Sequence, residues 1–346
     1  MQHFCTNFDH RYLPRGLALY QSLKQHCPSS HLWVLCMDRS CHEVLSTLCL
    51  PDIHLIDLQE FERSDEELLR AKRTRTLLEY YITCKPSFLL FILSKHPEVN
   101  RINYLDADLF FFSDLSPLFD EIADHSIAII GHRFPPELVD FGQAGIYNAG
   151  FLSFRRDESA LACLRWWRDR CLEWCYDRFD EGRFFDQTYL DDWPARFSGT
   201  IVLCHKGANL APWNLANYSI EADGPCVSVD GQPLIFFHFS RLRQVTRWLF
   251  DPNLAVCKVR PSTVVVRAIY GPYIRILVDL TRQLSPILRE VSLQRSLRDG
   301  EDGMTLQRSP RVALSLRIAG RAREWLDMVE GIFCRRYILV MNGHPL

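Results

Sequence analysis

The sequence predicts an α/β fold: a mixed, mostly parallel sheet flanked by helices, with a helical C-terminal appendage. Three observations lead there. Strand-like and helix-like segments alternate from the first residues onward. The apolar run Ile102-Asn103-Tyr104-Leu105 reads as a buried strand ending in Asp106-Ala107-Asp108. The charge is also lopsided, because from Asp251 onward 15 Lys/Arg stand against 9 Asp/Glu while the preceding part carries 25 against 33. The expected division is a catalytic-type α/β domain over 1–250 and a basic, mainly helical appendage over 251–346.

Taken in order, His3-Phe4-Cys5-Thr6-Asn7 is a short first strand, and residues 12–26 have the apolar spacing of a helix. A second strand over 32–37, a short helical stretch and a third strand over 53–56 continue the alternation. In open α/β sheets ligands gather beyond the carboxyl ends of the strands, so Thr6 and Asn7 are expected to face one pocket with Asp106 and Asp108. Ser64-Asp65-Glu66-Glu67 has the spacing of a capping box and predicts a helix to about Cys84, stopped by Pro86, with a second helix over 88–95. The first carries Arg70, Lys72, Arg73 and Arg75, which cannot all share one face. They form either a solvated flank or a surface from which Lys72 or Arg73 reaches a diphosphate.

Residues 126–130 and 146–154 read as strands, with Gly150 permitting close backbone approach and Asn148 a polar group in apolar surroundings. A long helix is expected over 158–179, its Trp166, Trp167 and Trp174 packing into the core. Another should begin at Phe184-Phe185, with Asp186 and Gln187 in its first turn. Beyond Lys206, strands over 226–229 and 234–239 are expected to form a hairpin around Asp230-Gly231 that ends in His238.

Strand side chains repeat every second residue, so Asp106 and Asp108 share a face and their charges repel. The arrangement makes sense when a divalent cation joins them. Oxygen ligands suit Mg²⁺ or Mn²⁺, which complete their coordination with substrate phosphates, and this points to a nucleotide-diphosphate ligand. His238, at the end of an apolar strand, is a fair third ligand.

Composition excludes several classes. A net charge of −2 argues against nucleic-acid binding, and there is no secretory leader pattern and no run of eighteen apolar residues, so a cytoplasmic protein is expected, with a peripheral place on the inner membrane face left open. Thirteen cysteines are scattered through apolar segments without the paired spacing of a zinc site and read as reduced core residues. In the tail, Arg267, Arg275, Arg282 and Arg289 recur seven or eight apart, near one helical stripe. Two readings follow: a surface for anionic lipid headgroups, or packing on the catalytic domain or on another subunit.

The ordered set Cys5-Thr6-Asn7, Tyr104-Leu105-Asp106-Ala107-Asp108, Asn148-Ala149-Gly150, Asp186-Gln187 and His238-Phe239 resembles nucleotide-diphosphosugar glycosyltransferases of the GT-A fold, especially the retaining family 8 that contains glycogenin and bacterial lipopolysaccharide galactosyltransferases. The resemblance covers about residues 1–245. It implies that Asp106, Asp108 and His238 hold Mn²⁺ or Mg²⁺ on the diphosphate of a UDP-sugar, that Thr6 and Asn7 contact the uridine, Asn148 the donor sugar, and Asp186 and Gln187 the reacting centre. The implied acceptor is a saccharide or a lipid-linked sugar. The family's lysine after His-Phe is replaced here by Ser240-Arg241, so Lys206, Arg241 or Arg243 is expected to supply the positive charge that a departing diphosphate needs, with Arg73 a further expected contact to the diphosphate. Gln187 cannot act as a base at neutral pH, so transfer with retention is expected. Two other classes compete: a sugar nucleotidyltransferase, against which the lack of glycine over residues 5–13 counts, and a silent nucleotide-sugar or carbohydrate-binding relative, against which the complete metal set counts.

Overall fold

The computed structural model describes residues 1–246, 248–299, 337–341 and 344–345, and it divides into two units, Met1–Phe239 and Ser240–Leu346. In the first unit, Phe4 and Cys5 of β1 (Gln2–Phe8) and Leu32 to Cys36 of β2 (Ser30–Cys36) are buried without interruption, as parallel strands covered on both faces require. Between them runs α1 (Leu13–His26), and α2 (Arg39–Leu48) leads to β3 (Ile53–Asp57). Three helices follow, α3 (Leu58–Arg63), α4 (Glu66–Lys72) and α5 (Leu77–Lys95), before β4 (Arg101–Leu105) and the short β5 (Leu109–Phe111). The unit continues through α6 (Ser116–Ile122), β6 (Ile127–Gly131), β7 (Tyr147–Arg155), α7 (Glu158–Glu173), α8 (Trp193–Arg196) and β8 (Thr200–Leu203).

Seven strands form one sheet in the order β3-β2-β1-β4-β7-β6-β8. The pairs β1/β2, β2/β3, β1/β4 and β6/β8 are parallel, and β7 runs antiparallel to both neighbours. The mixed, mostly parallel sheet flanked by helices is therefore present. Beyond it, β9 (Ile220–Asp223), β10 (Cys226–Val229) and β11 (Gln232–Pro233) make a three-stranded meander, while β12 (Phe236–His238) pairs antiparallel with β5.

Five local expectations change. Asp65, not Ser64, caps α4 by accepting from Leu68 N, and the capping box belongs to Thr76 and Glu79 at the start of α5. Pro86 does not stop a helix: α5 runs through it, because Thr83, Cys84, Phe88, Leu89 and Ile92 on both sides are buried and their packing outweighs the roughly 3 kcal/mol of a mid-helix proline. That helix is long and apolar enough to cross a membrane, but 67% of its apolar window is buried inside the protein. α7 stops at Glu173, where Trp174 turns extended and its indole N–H donates to Asp180 Oδ2 at 3.2 Å. The helix expected at Phe184 is a 3-10 turn over Thr188–Asp192, because Phe185 takes a positive φ of 48° that no helix tolerates. Finally, the strand bearing His238 leaves the hairpin for β5.

In the second unit β13 (Arg243–Thr246), β14 (Leu249–Asp251), β15 (Ile338–Met341) and β16 (His344–Pro345) build a small antiparallel sheet not foreseen in the sequence. A π-type turn, Val265–Tyr270, runs into the long helix α9 (Gly271–Asp299). The C-terminal helix is thus present.

Candidate functional site

β4 ends at Leu105, and the chain turns so that Asp106 N donates to Gly150 O of β7 (2.8 Å) before β5 begins at Leu109. β5 is paired with β12 in a register that sets His238 against Leu109, the residue after Asp108. Two strands distant in sequence thereby bring one ligand atom each of Asp106, Asp108 and His238 within 4.8 Å of one another. His238 Nε2 lies 3.2 Å from Asp108 Oδ1 and 3.8 Å from Asp106 Oδ2.

The other ring nitrogen is spoken for. His238 Nδ1 sits 3.2 Å from Asn148 Oδ1, and the Asn148 amide nitrogen lies 3.2 Å from His132 Nε2. Burial and then His238 pull the His132 pKa down to about 3, so its ring is neutral and Nε2 can accept. The chain orients His238 with Nδ1–H toward the amide oxygen and Nε2 toward the two carboxylates, the usual support behind a metal-bound histidine. Trp213 packs edge-on against His238, ring centroids 5.2 Å apart. Gly150 is required there: a Cβ would fall 2.7 Å from both Asn148 Oδ1 and His238 Cε1.

Electrostatics agree with this layout. Burial pulls the His238 pKa down, but Asp108 and then Asp106 push it above its ordinary value. Burial works against the Asp108 carboxylate, yet His238 and Arg15 hold its pKa below the usual range. Two carboxylates thus draw positive charge to the point between them, and two oxygens with one imidazole nitrogen suit Mn²⁺ and serve Mg²⁺.

Behind the carboxylates lies a lysine that sequence reasoning missed. Lys85, 8% exposed, sits on α5 with Nζ 3.1 Å from Asp106 Oδ1 and 3.3 Å from Asp186 Oδ2. Burial opposes its charge, but Asp106 and Asp186 raise its pKa above the ordinary lysine value. The Asp186 carboxyl is shifted upward all the same, by burial first and by Asp106, with Lys85 acting against the shift. The two shifts are compatible: one ammonium group shared by two carboxylates stays charged without neutralising both. The only signal in the sequence was a lysine on an otherwise apolar stretch.

A cavity of about 730 Å³ opens in front of Asp106 and Asp108, lined also by Asn7, Asp9, Arg11, Arg15, Tyr81 and Lys85. Asn7 donates to Tyr81 O (3.1 Å) and accepts from Tyr104 OH (2.9 Å), which also lies 3.1 Å from Asp106 Oδ1. Asp9, 3% exposed, is held by Arg11 Nε at 2.8 Å.

Not every expected residue arrives. Thr6 is fully buried and does not line the cavity, because strand alternation turns it to the face opposite Asn7. Arg73 caps the C-terminal end of α4 and does not line the cavity either. Lys206 is paired with Asp230 of the meander at 2.8 Å, outside the cavity wall. Lys72 is bound to Glu62 at 2.6 Å. The cations that do line the cavity are Arg11, Arg15 and Lys85. Gln187 lies just ahead of its 3-10 turn and donates from Nε2 to Ala144 O at 2.7 Å, so its amide is fixed beside the β6–β7 connection.

No family model matches the chain. Loose likenesses reach the galactosyltransferase LgtC in complex with donor and acceptor sugar analogs (15% identical, 81% of this chain, 96% of that chain, TM-score 0.49) and mouse xyloside xylosyltransferase 1 in its apo form (14% identical, 69% of this chain, 98% of that chain, TM-score 0.44). At these scores the likeness carries no argument. Sequence relatives are far nearer. The uncharacterized protein YfnF of Bacillus subtilis (strain 168) is 39% identical over 251 residues, covering 70% of this chain and 82% of its own length. YfnD of the same organism, also uncharacterized, is 35% identical over 275 residues, covering 79% of this chain and 87% of its own. With identity of this order across most of each partner, the chain belongs to the family of YfnF and YfnD.

Proposed function

We propose that the chain is a divalent-metal-dependent glycosyltransferase of the GT-A type, akin to retaining family 8. It moves a sugar from a UDP-sugar to a hydroxyl of a saccharide or lipid-linked acceptor in surface-polysaccharide or glycoconjugate synthesis. The observation that carries this reading is the convergence of Asp106, Asp108 and His238 at the mouth of a nucleotide-sized cavity, with Asn148 already holding the histidine for coordination. Bound there, Mn²⁺ or Mg²⁺ would supply a Lewis acid for the diphosphate of the donor.

The remaining chemistry is the chain's own. Arg15, on the cavity wall, adds positive charge for the departing diphosphate, the part once expected of Arg73 and Lys206, while Arg11 beside it is paired with Asp9. Lys85 holds Asp106 and Asp186 in place, and it links the cation site to the carboxylate expected beside the donor sugar. Asp186 is buried and Gln187 is tied to Ala144 O, so both groups are rigid, as groups that act on a transition state must be. The amide oxygen of Gln187 stabilises positive charge at the anomeric carbon. The leaving phosphate takes the acceptor proton on the same face, and configuration is retained. Asn7 serves the base or ribose side and Asn148 the sugar side. The twelve described cysteines are free thiols, which suits a reducing cytoplasm.

A thermal-shift panel of nucleotides with and without Mn²⁺ tests the reading, since a ligand that binds only the native state raises the melting temperature. UDP with Mn²⁺ should give the largest shift, and Asp108→Asn should remove the Mn²⁺-dependent part while melting normally on its own. A UDP shift indifferent to Mn²⁺, or a wild-type response in Asp108→Asn, would refute the metal site.

A further inference from the structure

The second unit carries a feature that sugar transfer does not use. Helix α9 buries Tyr273, Leu277, Leu280, Leu284 and Val291. At about 100° per residue these five fall within an arc of roughly 60°, which the buried Ile274 widens to a packed face of roughly 120°. Arg275, Arg282 and Arg289 recur every seven residues within an arc of roughly 40° on the opposite side, and all three are exposed. Arg267, also exposed, extends the line into the preceding π-type turn. Leu293 falls on the same line as Arg275, four residues beyond Arg289, and is 65% exposed. The acidic residues nearby, Asp279 and Glu290, sit to one side; Asp279 lies 3.5 Å from Arg282 and Glu290 accepts from Gln294.

We infer that this arginine line is a docking surface for anionic lipid headgroups. A row of like charges about 21 Å long from Arg275 to Arg289 matches a flat, uniformly negative plane. An acidic protein partner would need carboxylates spaced to the helical repeat. The exposed Leu293 at the end of the row has the place of an apolar side chain that enters the headgroup boundary, and Trp248 of the same unit, 40% exposed, is of the ring type that settles at that depth. Charge complementarity is supported by the whole segment: the chain after Asp251 is net basic although the preceding part is net acidic. This inference does not depend on which reaction the first unit performs.

Co-sedimentation of the full chain with vesicles tests it. With phosphatidylcholine containing a third phosphatidylglycerol at low salt the protein should pellet, with pure phosphatidylcholine it should not, and 0.5 M salt should release it. Each Arg→Gln substitution among Arg267, Arg275, Arg282 and Arg289 should weaken partition about fivefold. The quadruple Gln variant should lose pelleting while keeping its melting temperature and its nucleotide response, and the quadruple Arg→Lys variant should still pellet. Three results would overturn the inference: no pelleting at any phosphatidylglycerol content, equal pelleting on pure phosphatidylcholine, or unchanged pelleting of the quadruple Gln variant. Salt-sensitive capture by an acidic polypeptide in the absence of any vesicle response would likewise assign the line to a protein partner.

Discussion

At their N-terminal ends β1, β2 and β3 carry His3, His31 and His54, each the second residue of its strand, whereas beyond their C-terminal ends β1 and β4 lead into Asp9, Asp106 and Asp108. The histidines stack on one another, His3 on His31 and His31 on His54, each pair with ring centroids 5.3 Å apart. His31 Nδ1 and His54 Nε2 lie 3.0 Å apart, which one proton satisfies, and Trp33 covers His54 at 4.1 Å. At that end the rings contact one another and no carboxylate stands between them. At the other end three carboxylates, Asp106, Asp108 and Asp186, crowd around Lys85 and His238, with Arg15 also acting on Asp108. The contrast teaches which cluster of ionisable groups is a candidate site: not the row of like rings, but the one where carboxylates and cations are gathered beside a cavity.

The widest break in that contrast comes from Lys85→Met. Removing one partner of a buried ionic cluster leaves Asp106 and Asp186 facing each other, at a cost of about 3–5 kcal/mol in chemical denaturation. Transfer should fall by about 10²-fold or more even where the variant is folded. A variant with wild-type stability would show that Lys85 is not the counter-charge described above. Mn²⁺ should restore part of the lost melting temperature, since a cation on Asp106 relieves the same repulsion.

A narrower cut separates chemistry from binding. Asp186→Ala and Gln187→Ala should lower kcat by about 10²-fold and 10-fold respectively, with the KM for the donor changed far less. The product's anomeric coupling, read by NMR, should show retention in the wild type. An inverted product would reject the Gln187 assignment while leaving the metal residues standing.

The smallest effect belongs to the histidine end. Burial, and then the neighbouring His31, hold the pKa values of His3 and His54 below the ordinary 6.5, opposed by Glu98 at both rings and by Asp52 at His54, and aided by the N-terminal amine at His3 and by His96 at His54. The folded state therefore binds fewer protons than the unfolded chain just below pH 6.5, and stability falls as pH drops through that value. Both rings are partly solvated, so the loss is screened to less than about 1 kcal/mol, a melting-temperature change of roughly 1–3 °C between pH 7.5 and 5. His54→Gln should flatten that slope, and an unchanged slope would return the ladder to an inert stack.

Much of this was legible from sequence because it is local. Alternation of apolar runs marked the strands, and Asp-Ala-Asp after one of them marked the carboxylates that meet His238. What escaped was decided by tertiary packing. Pro86 reads as a stop, but burial on both sides carries the helix through, and only an unbroken α5 presents Lys85 to both Asp106 and Asp186. Thr6 and Asn7 read as a pair, yet the pleat gives one to the core and one to the cavity. Arg73 and Lys206 carried the right charge, and nothing in their neighbourhoods marked Arg11 and Arg15 as the ones that line the wall.

The three-residue ladder between β5 and β12 has a consequence for how the molecule is made. Its two sides lie well over a hundred residues apart in sequence, so closing it is a late, high-contact-order event that waits on the parallel sheet. The pleat has a period of two, and a slip of one residue would turn His238 away from Asp106 and Asp108. Capturing the cation would then act as proofreading, because only the correctly paired strand completes the three-ligand set.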